Sequence, residues 1–524
     1  MQLLRKDGII CNKGLKVKGV GYKVLPYACG LLLLILYSCS ASRHGASPNR
    51  KYSPAELQKD YTVFRSLLEE KHPGLYWYTS KDSIDYYFDW GQQQLKDSLN
   101  EPDFRKVLSY IISKIGCGHT SVSSSKRYSR FLDTTRLLRI FPLSLKIWDD
   151  TAVVSATLSR RDSILKRGTI INKINGVVIR SITDSLFRYL PTDGYNTTHK
   201  YQTLSNRGTF GSLYSSVYGY APLYTIDFTD STGKLYRTNI RTYNPPIADS
   251  ATRAAIARLP RPPQPSKRER KQLRKNSARL LKMDTANHVA MMNLNSFAKG
   301  YQLRPFFRRS FKALRKHDLN YLIIDVRSNG GGSVSNSTSL TKYISDHRFK
   351  IGDSLYAVNK RSKYKKYIED DFWNRFFMTL FTQKRKDGNY HFGYFERHYF
   401  KPKKKNHYNG KVYVLTGGNS FSATTLFAGA VREQDNVTIV GEETGGGAYG
   451  NNAWLIPDVT LPVTKVRFRL PLFRLVIDKN IPKNGKGVQP EVISLPTVQA
   501  IRAGVDYKLD KTMELIQKEK EVSH

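Results

Sequence analysis

KVYVLTGGNSFSATTLFAGAVREQDNVTIVGEETGGGAY, residues 411–449, is the stretch whose reading decides the fold. The β-branched run at 412–415 reads as a buried strand. The small-residue turn Gly417-Gly418-Asn419-Ser420 then feeds an Ala-rich helix beginning near Ser422. A serine at a strand-to-helix turn has its hydroxyl lifted off the sheet, and the first amides of the helix have no intrahelical acceptor, so they can hold an oxyanion. Ser422 is therefore the candidate nucleophile. The same pattern also suits Ser420 or Ser422 as a simple helix N-cap.

Around this stretch lie 524 residues, 40% of them hydrophobic, which is enough for two or three packed cores. The formal net charge of +42 is spread over many Lys- and Arg-rich segments. No zinc-finger, RNP or other nucleic-acid module accompanies it, so nucleic acid is not an expected partner. Charge alone implies attraction to polyanions such as a lipid surface or an anionic polysaccharide.

The N-terminus suggests a compartment. Lys6, Lys13, Lys16, Lys18 and Lys23 precede an apolar run at 24–35 that ends in Leu36-Tyr37-Ser38-Cys39. The run is short for a membrane span, which needs about 20 apolar residues. A small residue directly before a cysteine resembles a bacterial lipobox, with Cys39 acylated as the first mature residue. The reading gives a signal peptide at 1–38, a tether at 39–52, and a membrane partner reached through the anchor in the bacterial envelope, facing the periplasm. An uncleaved signal anchor is the other reading. Cys11 and Cys29 would leave with the signal, so Cys117 stands alone and no internal disulfide is expected.

Ser53-Pro54-Ala55-Glu56 is a capping box with proline at the first helical position, and it opens a helical region, 53–135, that ends in Gly116-Cys117-Gly118-His119-Thr120. A histidine between Gly and Thr at a helix end is unusual, although a lone histidine is more often structural. Residues 136–257 change to short alternating strands, with an Asn175-Gly176 hairpin signal. This segment resembles a PDZ module, which receives a peptide by strand addition. A Pro-rich, basic stretch at 258–282 reads as a solvated linker. In the region 283–515, a second buried strand at 321–326 runs into Arg327-Ser328-Asn329-Gly330-Gly331-Gly332-Ser333. No Gly-Lys-Ser/Thr follows, which argues against a nucleotide cradle and leaves backbone amides aimed into a cleft. An insertion at 356–409 carries Phe372, Trp373, Phe376 and Phe377 at helical spacing, which predicts a packed helical cap over the cleft. A helix lying on a membrane surface is the sharper reading. Residues 516–524 read as a tail.

Four motifs together resemble one family. LIIDVRSNGGGS is similar to the D-x-R-x-N-x-G-G motif of the tail-specific (C-terminal processing) and tricorn-core serine peptidases. NSFSATTLFAGA is similar to that family's nucleophile helix, VGEETGGG to its V-G-E-x-T-x-G turn, and CGHTS to the D-G-H-T of the tricorn-like branch. The resemblance implies an α/β core of the ClpP/crotonase-like peptidase kind, with an N-terminal helical domain and a PDZ-like β-rich insertion. It also implies Ser422 rather than Ser420 as nucleophile, and oxyanion or substrate contacts from Gly331, Ala423, Gly330 and Asn329.

One departure separates the branches. Where the processing proteases keep a lysine base, this chain has Gly445-Gly446-Gly447, so the resemblance implies His119 as base. A histidine near its reference value gives a rate rising through about pH 6 to 7. The family's acid, a Glu before a G-V-x-P-D motif, has no direct counterpart in Asn484-Gly485-Lys486-Gly487-Val488, and Asp478 and Glu443 are the substitutes. The implied activity is a serine-type endopeptidase acting on extended or unfolded polypeptides through an acyl-enzyme, without cofactor or metal. A non-hydrolytic peptide-, lipid- or glycan-binding protein on the same fold is the alternative, favoured by Thr424-Thr425 in place of the family's S-E.

Overall fold

The structure is a computed structural model that describes residues 50–134, 140–158, 164–244 and 264–522. Cys39, the leader and most of the tether lie outside these residues. Among the described residues no helix is long and apolar enough to cross a membrane.

The centre is a six-stranded sheet in the order Arg279–Asp284, Val289–Leu294, Tyr321–Asp325, Lys411–Thr416, Val437–Gly441 and Val492–Ile493. The first pair is antiparallel and the rest are parallel. Period-two alternation sorts the side chains into two layers. Leu322, Ile324, Val412 and Val414 face the helices Leu303–Lys316, Val334–Ile344 and Ala423–Val431. Ile323, Tyr413 and Leu415 face the C-terminal helix Tyr507–Val522 through Ile516. That helix absorbs most of the expected tail. The two central strands run in register, Tyr321 beside Lys411 and Asp325 beside Leu415, so both following turns open at one edge. Outside the carboxyl ends of parallel strands is where such sheets place their sites.

The helices Pro54–Lys71, Lys81–Gln93 and Glu101–Ser113 are each opened by a side-chain cap, at the expected Ser53 and at Ser80 and Asn100. They share one apolar core with residues drawn from 351–378 and 459–475. Asp60 fastens the two together by accepting from the amides of Val463 (2.7 Å) and Thr464 (2.8 Å). A six-stranded antiparallel sheet, from Leu143–Trp148 to Leu235–Arg241, has its own core. Asn175 and Gly176, both at positive φ, make its tight hairpin.

Two expectations are corrected. The described part of the basic stretch is not a solvated linker: Ser266 and Glu269 form a capping box for the helix Lys267–Ala278, and Arg279–Asp284 is the edge strand of the central sheet. Composition dominated by Lys and Arg masks that cap. In the insertion, the helix Asp371–Phe381 buries Asp371 and Met378 and packs Phe377, while Phe372, Trp373 and Phe376 are exposed, so the insertion reaches the cavity beside Ser422 not through this helix but through Tyr394, Phe395, Phe400 and Lys403.

Candidate active site

Ser422 sits just before the helix Ala423–Val431 with φ 58° and ψ −120°, outside the helical and extended regions. A non-glycine residue held there stores about 1–3 kcal/mol and persists only when its surroundings dictate it. The turn after Tyr321–Asp325 is pressed against it. A Cβ on Gly331 would stand 2.7 Å from the Phe421 carbonyl and 2.8 Å from Ser422 Cβ, and Gly331 itself has φ +97°, so only glycine fits. The Phe421 amide donates to the Asn329 carbonyl at 3.1 Å and stitches the two turns together. Ser420 is buried and committed: its hydroxyl donates to the Val326 carbonyl (2.8 Å) and accepts from the Gly417 amide (3.2 Å). Ser422 Oγ makes no hydrogen bond to any described residue and lines a cavity of about 1120 Å³.

The Ala423 amide, first in its helix, has no intrahelical acceptor and is placed to receive an oxyanion. Gly331 differs: its amide donates to Asn329 Oδ1 at 3.0 Å, so this donor is already occupied. Arg327 clamps the base of the turn, forking onto Asp325 (Nη2 2.8 Å) and Asp506 (Nη2 2.8 Å). The motif's Asp and Arg are therefore struts. The three glycines of the Thr-Gly-Gly-Gly turn are sterically required. A Cβ on Gly445 would collide with the Gly418 carbonyl, and one on Gly446 with Thr425 Oγ1, close to the Ser422 amide. A lysine has no room there.

His119 is buried beside Phe421, ring centroids 4.8 Å apart, and Gly118 has no space for a side chain because a Cβ would lie 2.6 Å from that ring. Neither ring nitrogen of His119 has a hydrogen-bond partner among the described residues. Burial first, then the nearby charges of Arg469 and His199, push its pKa down to about 3, so the imidazole is neutral at physiological pH. The carboxylate beside it is neither Asp478 nor Glu443. Asp478 accepts from the amide of Asn480 (2.8 Å) in a local turn. Glu443 braces the Gly487 amide (2.6 Å) and the Thr198 hydroxyl (3.2 Å). Instead Asp193 Oδ1 lies 4.0 Å from His119 Nδ1. Asp193 is buried and accepts from the amides of Gly118 (2.8 Å) and Gly447 (3.2 Å), joining the histidine loop to the glycine turn, and burial raises its pKa.

A second histidine packs against the same ring. His199 stacks on Phe421 at 4.8 Å, and its Nδ1 lies 2.7 Å from the Gly418 carbonyl, which fixes Nδ1 as the protonated nitrogen. Asp193 and His199 were both missed from sequence. The only signal for Asp193 was a Thr-Asp-Gly turn, and His199 stands in an ordinary polar helix, Thr197–Ser205. Among the described residues no cluster of His, Cys, Asp or Glu converges on a metal position.

A strained serine at a strand-to-helix turn, facing a cavity with a neutral histidine behind the adjoining ring, defines a serine-hydrolase type of site. Residues 288–494, which carry both turns, match the profile of peptidase family S41, and the activity this match supports is that of a serine-type peptidase, a hydrolase of peptide bonds. No curated protein matches the sequence. Solved structures share the fold. Mature CPAF is 15% identical, over 89% of this chain and 96% of that one, with a TM-score of 0.58. Mature CPAF complexed with lactacystin is 14% identical over 90% and 98%, with a TM-score of 0.60. A CPAF mutant is 14% identical over 89% and 97%, with a TM-score of 0.62.

Proposed function

We propose that the protein is an endopeptidase for extended polypeptides in which Ser422 is the nucleophile and His119 the general base. Ser422 Oγ attacks the scissile carbonyl carbon and its proton passes to His119. The Ala423 amide holds the oxyanion, and His119 returns the proton to the leaving amine as the acyl-enzyme forms. Water then attacks the ester by the same route. The observation that carries this reading is the strained, unbonded hydroxyl of Ser422 at a cavity wall, with a buried neutral imidazole beside the preceding residue. The serine and histidine are not hydrogen-bonded to each other in the resting geometry; substrate binding tightens such contacts in many hydrolases. Asp193 acts as a positioning residue that holds the histidine loop against the glycine turn.

A fluorophosphonate probe tests this directly, because only an activated serine reacts. Labelling of the wild type at Ser422, abolished in Ser422→Ala, is expected. A folded wild-type protein that resists the probe would favour the non-hydrolytic binding alternative.

The antiparallel sheet and its helices support a PDZ-like role in presenting chain segments, and the shared core of the helices Pro54–Lys71, Lys81–Gln93 and Glu101–Ser113 supports reading them as the domain that carries His119. We further assign the protein to the periplasmic side of a bacterial membrane, held by acylated Cys39, on the lipobox-like sequence alone. Mass spectrometry of the mature N-terminus should find a diacylated cysteine, and an unmodified terminus elsewhere refutes the anchor.

A further inference from the structure

The cavity at Ser422 is lined by six cationic side chains, Lys299, Arg304, Arg308, Lys342, Lys403 and Arg469, and by no Asp or Glu. The whole chain has 85 basic and 43 acidic residues, so at that ratio about three carboxylates would accompany six cations. None of the six forms an ion pair among the described residues, although shorter-range pairs are common elsewhere on the surface. Aromatic faces orient two of them in place of acids. Lys342 Nζ lies 4.9 Å from the Phe400 ring centroid and Lys403 Nζ 5.8 Å from that of Tyr343. The Lys403 amide donates to the Lys342 carbonyl at 2.6 Å, which fixes the two cations on one wall. Burial lowers the Lys342 pKa, and the adjacent charges of Lys403 and Arg304 lower it further, the signature of a positive field with nothing to offset it. Folding does not need this arrangement, since unneutralised like charges oppose compaction.

We propose that the cavity selects polypeptide segments rich in Asp and Glu and lays them across these cations next to the bond that Ser422 attacks. This rests on the peptidase reading and names its substrate class. A single chain-terminal carboxylate would meet one or two of the six cations, whereas acidic side chains spaced along an extended segment can meet them all. Apolar walls from Leu426, Trp454 and Phe395 receive the aliphatic parts of the same segment.

The test uses full-length protein carrying Ser422→Ala, so that peptides are bound and not consumed, and fluorescence anisotropy at low salt. A C-terminally amidated acidic peptide is compared with its Asn/Gln counterpart and with that neutral peptide bearing a free C-terminus. The acidic peptide should bind about 10-fold or more tightly than either, as expected for several solvent-screened charge contacts acting together, and the difference should shrink with salt. Arg304→Gln/Lys342→Gln/Lys403→Gln should erase the preference. The remote triple Lys166→Gln/Lys173→Gln/Arg241→Gln, which removes equal charge from the region of the six-stranded antiparallel sheet, should preserve it. Thermal melting checks the fold of both, and single Arg304→Gln is read instead if the cavity triple melts early. Equal affinity for acidic and neutral peptides overturns the proposal, as does equal affinity for the free-terminus peptide. A preference lost as fully in the remote triple also overturns it and reduces the effect to net charge. Fluorophosphonate labelling of the wild type is scored separately, so failure of the peptidase reading is distinguishable from failure of the acidic preference.

Discussion

Around Phe421 the same residue types are put to opposite ends. Ser420 and His199 are tied down: the serine bridges Val326 and Gly417, and the histidine is fixed on the Gly418 carbonyl. Ser422 Oγ and both ring nitrogens of His119, by contrast, make no hydrogen bond to any described residue. Buried polar groups are paired in the great majority of cases, and leaving one unpaired costs about 1–3 kcal/mol. For buried His119 the orphaned nitrogens are a cost that a scaffold role does not offset, while Ser422 keeps its hydroxyl open to the cavity. The tied residues hold the turn, and that rigidity maintains the untied ones in a conformation the chain would otherwise avoid.

The sharpest way to break the comparison is to remove each histidine. His119→Ala should lower kcat/KM by about 10³- to 10⁴-fold, and Ser422→Ala/His119→Ala should be no worse than Ser422→Ala, because the two act as one unit. His199→Ala should keep most of the activity and lose stability, since the Gly418 carbonyl loses its partner. Steady-state kinetics and thermal melting on the same preparations separate the cases. A severe kinetic loss in His199→Ala with His119→Ala near wild type would reverse the assignment.

Much of this contrast was written in the sequence, and some was not. The strand, turn and helix around residue 422 follow from a β-branched run, small residues and an Ala-rich segment, all local signals. Ser53 and Glu56 likewise set the first helix. His119 is singled out only by the resemblance of Cys117-Gly118-His119-Thr120 to the tricorn-like motif, since a lone histidine in that setting otherwise reads as structural. Asp193 was invisible because its importance comes from amides 75 and 254 residues away, which no local pattern encodes. The outward aromatic face of Asp371–Phe381 failed for a related reason: i, i+4 spacing identifies a face but not what lies opposite it. The six cations of the cavity come from scattered segments of a chain that is basic almost everywhere, so their convergence appears only in three dimensions.

A pH profile sharpens the histidine assignment by a smaller margin. A base works when unprotonated, and His119 is pushed down to about 3, chiefly by burial and then by Arg469 and His199. The rising limb of kcat/KM should therefore lie below pH 6, lower than an unperturbed histidine would put it. Arg469→Gln removes one positive neighbour and should move the limb upward. Stability carries the same sign. His72 is also buried and pushed down to about 3, so the unfolded chain takes up protons on both histidines from about pH 6.5 downward while the folded chain resists. The melting temperature should fall as pH drops through that window. A limb at pH 7 or above would show that another group is the base.

The smallest expected effect on catalysis is at Ser420. In Ser420→Ala the Val326 carbonyl and the Gly417 amide both lose a partner in a site closed to water, and the loss comes to about 1–3 kcal/mol of stability. The Ser422 hydroxyl, two residues on, is not touched. Its backbone is held independently by the Phe421 amide on Asn329 and by the packing of Gly331. Ser420→Ala should therefore unfold several degrees earlier, yet label with fluorophosphonate at nearly the wild-type rate below its transition. Ser420→Thr keeps a hydroxyl but adds a methyl where the turn has no free volume, so it should rescue neither property fully. Loss of labelling without loss of stability in Ser420→Ala would mean that the tied serine, and not Ser422, carries the chemistry, and the distinction between the tied and untied residues around Phe421 would collapse.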